Sequence, residues 1–468
     1  MEHKSTTRIN NTLKLQNKAN RNIRTIEFRK NQIRKIVSWI KKNENKIKKS
    51  ITHDLKKPEV EIDITEIWAC TKEANYILKN LNKWTKVKKI SKTIPLITTT
   101  SYIATEPKGI VLIIAPWNYP FQLSIMPLLA AIAAGNSVFL KPSEKTPATS
   151  KLINEMINEL FSPSDVAVFE GDEKIVSLLL NEKFDHIFFT GGTKIGQIIM
   201  KKASKNLTPV TLELGGKCPA IIDKSANLKT SIDKIISTKF MNAGQTCIAT
   251  DFILIEECVK KECIKLIKKI ISERYGNPKL IKQNTDYGRI INKDHTKRLD
   301  LLIKKSLEHG STIHQGNEIS INDLYISPTI IETNFDDEIM KEEIFGPILP
   351  IITYKNFDSM IEKLNQMEYP LASYIFSKNK HHINTFIRKT KSGGVCINDA
   401  SIHFLHHKLP FGGLGNSGIG SYHGKFGFLE LSNSRPVIKN IDNSPIKFLY
   451  PPYNTKIKKL VKLIKNLI

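Results

Sequence analysis

From residue 107 onward the chain alternates short apolar, β-rich runs with helical stretches, and this rhythm restricts the fold more than any other feature. PKGIVLIIAPWNYP carries an apolar run, Ile110 to Ile114, stopped by Pro116. A run of that length with no polar face fits a strand buried on both sides of a parallel sheet. FQLSIMPLLAAIAAG then reads as an apolar helix ending at Gly135, where glycine can adopt the left-handed cap. NSVFLKPSE, DVAVFEG, KIVSLLLNE, HIFFTGG, KIGQIIMKKA and VTLELGG continue the alternation. The second half repeats it in TSIDKIISTKFMNAGQTC, DFILIEE, VKKECIKLIKKIISERYG, LPIITYKNFDSMIEKLNQ, LASYIFSK and GGVCIND. The pattern predicts an α/β protein built on parallel sheets. Ahead of it, residues 20–85 predict two or three amphipathic helices. Ile26, Phe28, Ile33, Ile36, Val37 and Ile40 recur at helical spacing, and Ile64, Ile67, Trp68 and Ala69 begin a second such set.

Composition removes several function classes. At 468 residues and 40% hydrophobic, the chain can bury a large core in two or three domains. The net charge is +26, yet Lys, Ile and Asn are over-used throughout and no nucleic-acid-binding motif accompanies them. No nucleic-acid partner is expected. Six cysteines, at 70, 218, 247, 258, 263 and 396, form no CxxC pair. Neither a zinc ribbon nor a disulfide framework is indicated, and reduced thiols in a cytoplasmic setting are expected. The N-terminus is basic and polar, without a signal-like apolar run, and no stretch reaches the roughly 18 apolar residues of a membrane span.

Four segments could carry chemistry. HIFFTGGTKIGQIIM (186–200) reads as strand, glycine turn, helix, a setting in which backbone N–H groups and the helix dipole can hold a pyrophosphate. Its G-G-x-x-x-G spacing matches neither the GxGxxG fingerprint nor a Walker loop, so an ordinary tight turn is the alternative. Cys247, in FMNAGQTCIAT, sits in a polar, glycine-containing stretch suited to an accessible nucleophile, although a lone cysteine is usually inert core. Glu213 in TLELGGK closes an apolar strand, where partial burial would make a carboxylate a general base; a solvated strand end is the other reading. Asn118 in PWNYP could donate its amide to an oxyanion, or serve the turn alone. EEIFGP (342–347) and the glycine-rich LPFGGLGNSGIG (409–420) are further candidates for pocket walls. No metal-ligand cluster stands out.

PWNYP, KPSE, FTGGTKIG, ELGGK, AGQTC, EEIFGP and PFGG follow one another in an order that resembles the aldehyde dehydrogenase superfamily. HHKLPFGGLGNSGIGSYHGKFGF, KFMNAGQTCIATDFIL and FLYPPY resemble its class 3, or fatty-aldehyde, branch. The likeness runs from about position 20 to 453, which leaves both ends of the chain, before and after those positions, as embellishment. It implies a Rossmann-type cofactor domain (1–86 and 104–212) and an α/β catalytic domain (213–405). An oligomerisation arm and active-site loop (87–103 and 406–440) and a tail (441–468) complete the chain. Cys247 would be the nucleophile, Glu213 the base, and Asn118 with the Cys247 backbone N–H the oxyanion hole. Lys141 and Glu144 would hold the adenosine ribose. Gly191, Gly192, Thr193, Gly196 and Leu214 would line the pyrophosphate side, with Glu343 and Phe345 at the nicotinamide ribose and ring. The implied reaction is NAD-dependent oxidation of medium- or long-chain aliphatic or aromatic aldehydes to acids, with NADP admitted, by a homodimer.

Rival readings are an acylating relative, which would lack a base such as Glu213, and a catalytically silent basic binding protein. One departure from the branch is Thr250, where proline is usual; a small loop change is expected. In the tail, Ile457, Leu460, Val461, Ile464 and Ile468 form an apolar stripe among Lys456, Lys459, Lys462 and Lys465. Residues 455–468 therefore predict a basic amphipathic helix, placed either on an anionic membrane surface or against protein.

Overall fold

The computed structural model describes residues 2–93, 96–442 and 444–465. Two parallel-dominated sheets confirm the α/β expectation. The first runs, edge to edge, Gly418–Ile419, Val210–Glu213, His186–Thr190, Ile110–Ile114, Ser137–Lys141, Val166–Val168. All neighbours are parallel except the short Gly418–Ile419 strand, which pairs antiparallel with Glu213 and Leu212. The second runs Thr312–Gln315, Thr329–Glu332, Ile348–Tyr354, Phe252–Glu256, Pro219–Ile222, Ala372–Phe376, Gly394–Ile397. Only its first pair is antiparallel.

The strands form where the apolar runs predict them because helices cover both faces. Every residue of Ile110–Ile114, Ser137–Lys141 and His186–Thr190 is buried. The helix Gln122–Ala134 is buried along its whole length and ends at Gly135 with φ +96°. Three helical stretches fill residues 26–84: Ile26–Lys42, Glu44–Leu55 and a continuous run from Glu59 to Trp84. The last contains a widened π turn at Asp63–Trp68.

The N-terminal segment is no embellishment. Glu2–Ala19 is a helix that closes the exposed edge of the first sheet. Ile9 and Leu13 are buried, Arg8 donates to the Val168 carbonyl, and Gln16 Nε2 donates to the carbonyls of Val138 and Pro163. An edge strand covered in this way cannot template further pairing. A separate three-stranded antiparallel sheet joins Lys88–Ile90, Thr100–Pro107 and Ser432–Lys439. At the C-terminus, Thr455–Lys465 is helical; Ile468 lies outside the described residues. No helix among the described residues is long and apolar enough to cross a membrane.

Candidate active site

In the first sheet the chain reverses direction of travel between strands Ile110–Ile114 and His186–Thr190. At such a switch point the segments leaving the strands' carboxyl ends diverge and open a crevice. Here those segments are Pro116–Asn118 and Gly191–Thr193, and both line a cavity of about 700 Å³. Its other wall comes from the amino-terminal edge of the second sheet: Cys247 precedes strand Phe252–Glu256, and Glu343 and Phe345 precede Ile348–Tyr354. Glu213, the last residue of its strand, and Leu214, Gly215 and Gly216, in the segment leading to the second sheet, also face the cavity.

The Cys247 loop is bent sharply and tightly bonded. Asn242, Ala243 and Gly244 take successive positive φ values of 52°, 51° and 77°. A Cβ on Gly244 would lie 2.3 Å from the Gly346 carbonyl oxygen, so only glycine fits. Gln245 is fully buried: its Nε2 donates to the carbonyls of Asn242 (3.0 Å) and Arg289 (2.8 Å), and its Oε1 accepts from Ile291 N–H (2.9 Å). Asn118 Nδ2 donates to the Gln245 carbonyl at 3.1 Å, which ties the PWNYP turn to the cysteine loop. An amide nitrogen carries two hydrogens, so one remains for a substrate oxygen. The Cys247 side chain is partly open to the cavity. Burial, then the charges of Glu343 and Glu213, push its thiol up, while the backbone N–H groups of Cys247 and Ile248 oppose that shift.

Glu213 ends its strand facing the cavity, and neither carboxylate oxygen has a hydrogen-bond partner. Burial raises its pKa well above the carboxylate range, with Glu430 adding to the shift. A group so poised takes up a proton readily. Glu343 is raised to about 8 by burial and Asp251.

The opposite wall suits a dinucleotide. The helix Thr193–Ala203 starts at Gly192 with no side-chain cap, so its first N–H groups face outward. A Cβ on Gly192 would meet nothing, whereas one on Gly215 would lie 2.0 Å from Glu343 Oε2. The Thr190 hydroxyl is buried without a partner. Bare backbone donors, glycine floors and an unpartnered hydroxyl fit a phosphate-bearing cofactor. Phe345, at φ +50°, meets Trp117 edge-on at 5.4 Å.

Of the residues expected at the site, Asn118, Gly191, Gly192, Thr193, Glu213, Leu214, Cys247, Glu343 and Phe345 share this cavity. Gly196 does not line it; it is buried one turn into its helix, where a Cβ would strike Leu214 at 2.8 Å. Lys141 and Glu144 also lie outside the lining and form an ion pair at the end of the adjacent strand. The glycine-rich loop has two uses: Asn416 lines the cavity, and the Ser417 carbonyl accepts from Leu214 N–H. Sequence reading missed Gln245 and a buried pair, Lys57 and Glu66, that reaches the Asn118 turn from a distant stretch of the chain. No local motif could have marked the Lys57–Glu66 pair, and the partners of Gln245, Arg289 and Ile291, lie far along the chain. Thr250 is buried with its hydroxyl unpartnered, and nothing in the structure explains that choice. Among the described residues no group of His, Cys, Asp or Glu is placed to hold a metal ion.

The fold and this cavity are those of a dinucleotide-dependent enzyme. The aldehyde dehydrogenase family profile matches residues 3–437, and the chain belongs to that family. It is 42% identical over 442 residues to 4,4'-diaponeurosporen-aldehyde dehydrogenase of Staphylococcus aureus, covering 94% of this chain and 95% of the relative. It is 40% identical over 438 residues to the dimeric NADP-preferring aldehyde dehydrogenase of Mus musculus, covering 93% and 95%. The solved substrate-bound state of Staphylococcus aureus AldH superposes with a TM-score of 0.91 at 40% identity, over 99% of this chain and 98% of that one. The chain is an oxidoreductase that oxidises aldehydes with NAD or NADP.

Proposed function

We propose that Cys247 attacks the aldehyde, that Asn118 and the Cys247 N–H hold the resulting oxyanion, and that Glu213 drives hydrolysis. The observation carrying this reading is that a thiol, an amide donor and an unpartnered carboxylate share one cavity with a glycine cradle. The Cys247 S–H bond gives up its proton to solvent, the sulfur bonds to the carbonyl carbon, and the carbonyl oxygen takes the electron pair of the C=O π bond. Preorganised donors at that oxygen lower the barrier without reorganising. A nicotinamide held by this cavity would supply the two-electron acceptor through which the adduct is oxidised to a thioester on Cys247. Glu213 then takes a proton from water as its oxygen adds to the thioester carbon. The C–S bond breaks, the acid leaves, and the sulfur regains a proton. This hydrolytic ending separates the reading from an acylating enzyme. Gly191, Gly192 and Thr193 would receive the pyrophosphate, Glu343 and Phe345 the nicotinamide end, and Lys141 with Glu144 the adenosine ribose. Replacing Cys247 with Ala is expected to abolish NAD-linked aldehyde oxidation and leave cofactor binding intact, as read by fluorescence titration. Retained turnover contradicts the assignment.

The substrates are proposed to be hydrophobic aldehydes of medium or long chain, or aromatic ones. The name of the Staphylococcus aureus relative and the aromatic side chains of Trp117, Phe345 and Tyr369 around the cavity favour this. Rates across a series from short to long aldehydes check it. The proposed domain division is 1–86 with 104–212 for the cofactor, 213–405 for catalysis, 87–103 with 406–440 for the arm and loop, and 441–468 for the tail; the two separate parallel sheets support it, while strands Thr100–Pro107 and Val210–Glu213 run across its limits at 103 and 212. The exposed outer strands of the small antiparallel sheet, Ile438 among them, favour a homodimer; light scattering of the purified chain measures it. Six free cysteines suit a cytoplasmic site. Exposed Leu463 among Lys456, Lys459, Lys462 and Lys465 favours peripheral contact of the tail with anionic lipid; vesicle sedimentation with and without residues 455–468 tests it.

A further inference from the structure

We propose that Lys57 and Glu66 are positioning residues that set the place of the Asn118 amide against the Cys247 loop. This rests on the reading of Asn118 as an oxyanion donor. Both side chains are completely excluded from solvent, with Lys57 Nζ 2.7 Å from Glu66 Oε1. Among the described residues, the other hydrogen bonds of the two side chains fall on residues 118–122. Lys57 Nζ donates to the Asn118 carbonyl at 3.0 Å and lies 3.9 Å over the Tyr119 ring. Glu66 Oε2 accepts from the N–H groups of Phe121 (3.1 Å) and Gln122 (2.8 Å).

The same turn is gripped from the other side by the cysteine loop. Asn242 Nδ2 donates to the Asn118 carbonyl at 2.9 Å, Asn118 Nδ2 donates to the Gln245 carbonyl, and the hydroxyls of Tyr119 and Thr246 are 2.6 Å apart. From the helical segment that carries Glu66, Glu61 accepts from Asn242 N–H at 2.9 Å, within the left-handed bend. Lys57, Glu61 and Glu66 thus grip both walls of the oxyanion site from one stretch of chain.

A buried ion pair is a poor way to gain stability, because desolvating two charges offsets their attraction and apolar replacements of both often fold as well. What the pair contributes here is geometry. Its hydrogen bonds have fixed directions, and a displacement of about 1 Å at a reacting group costs roughly 100-fold in rate.

The test compares Lys57→Met, Glu66→Gln and the double variant Lys57→Met/Glu66→Leu with Asn118→Ala. Three quantities are read: thermal midpoint, NAD binding by fluorescence, and the single-turnover rate of NADH formation. Lys57→Met is expected to slow NADH formation roughly 10- to 100-fold with NAD binding nearly unchanged. Glu66→Gln, which keeps a hydrogen-bond acceptor, retains most of the rate. The double variant regains the thermal midpoint without regaining the rate. Lys57→Met added to Asn118→Ala costs little more than Asn118→Ala alone, as expected when one residue acts through the other. Recovery of midpoint and rate together in the double variant, or full additivity with Asn118→Ala, overturns the proposal. An unchanged rate in Lys57→Met also overturns it while leaving the oxyanion reading intact; an unchanged rate in Asn118→Ala overturns that reading itself.

Discussion

The two loops that face each other across the cavity are built on opposite principles. The proposed cofactor wall, Thr190–Thr193 with Leu214–Gly216, leaves its cavity face open: an unpartnered Thr190 hydroxyl, a helix start with no side-chain cap, and glycines in place of side chains. The proposed nucleophile wall, Asn242–Cys247, holds three consecutive positive φ values and a fully bonded Gln245. The difference follows from what each wall must do. A dissociable ligand brings its own acceptors, so the protein leaves donors open. A nucleophile has to stay in one place through both halves of the reaction, so its loop is locked by its own side chains, at a cost in backbone strain.

Substitutions on the two walls should therefore behave differently. After loss of the thiol itself, the largest effect belongs to the proposed oxyanion donor: Asn118→Ala is expected to lower kcat roughly 10²- to 10³-fold, measured by steady-state NADH production. Next comes a paired comparison of glycines. Gly244→Ala, forced to φ +77° and against the Gly346 carbonyl, should destabilise by about 1–3 kcal/mol in denaturant unfolding. Gly192→Ala, at φ −75° in open space, should stay within about 0.5 kcal/mol of the parent while weakening cofactor binding. Equal destabilisation by both would erase the contrast between the walls. The smallest effect is a slope. Burial raises Glu61 to about 7 in the fold, so the folded protein binds more protons than the unfolded chain above the ordinary value of 4.5. Stability from this group is fully present below about pH 4.5 and is lost as pH rises through about 7. Glu61→Gln should flatten that fall in a series of thermal midpoints, leaving the contributions of the other buried carboxylates, Glu343 among them, which titrates at about 8.

The same contrast explains what could be read in the sequence. The cofactor wall was legible because it is made of local features: a buried apolar strand, a glycine turn, a helix start. Cys247, Glu213 and Asn118 could be singled out because each sits beside a glycine or proline turn, and all three line the same cavity. Gln245 was in plain view within AGQTC, yet its role depends on Arg289 and Ile291, which lie far along the chain. Lys57 and Glu66 look like ordinary solvated charges on an amphipathic helix; only the tertiary fold buries them. The first helix was misjudged for a related reason. Among its many polar residues only Ile9 and Leu13 are buried apolar anchors, and its hold on the sheet edge comes from Arg8 and Gln16 reaching backbone carbonyls. Polar side chains that bond distant backbone carry no periodic signal.

The central claim is covalent catalysis at Cys247 with Glu213 needed to release the product. Mass spectrometry of the intact Glu213→Gln protein, quenched after mixing with NAD and an aliphatic aldehyde, addresses it directly. The account predicts a mass increase equal to one acyl group, carried on the peptide containing Cys247. One equivalent of NADH formed with no such adduct, or with the acyl group on another residue, would contradict it.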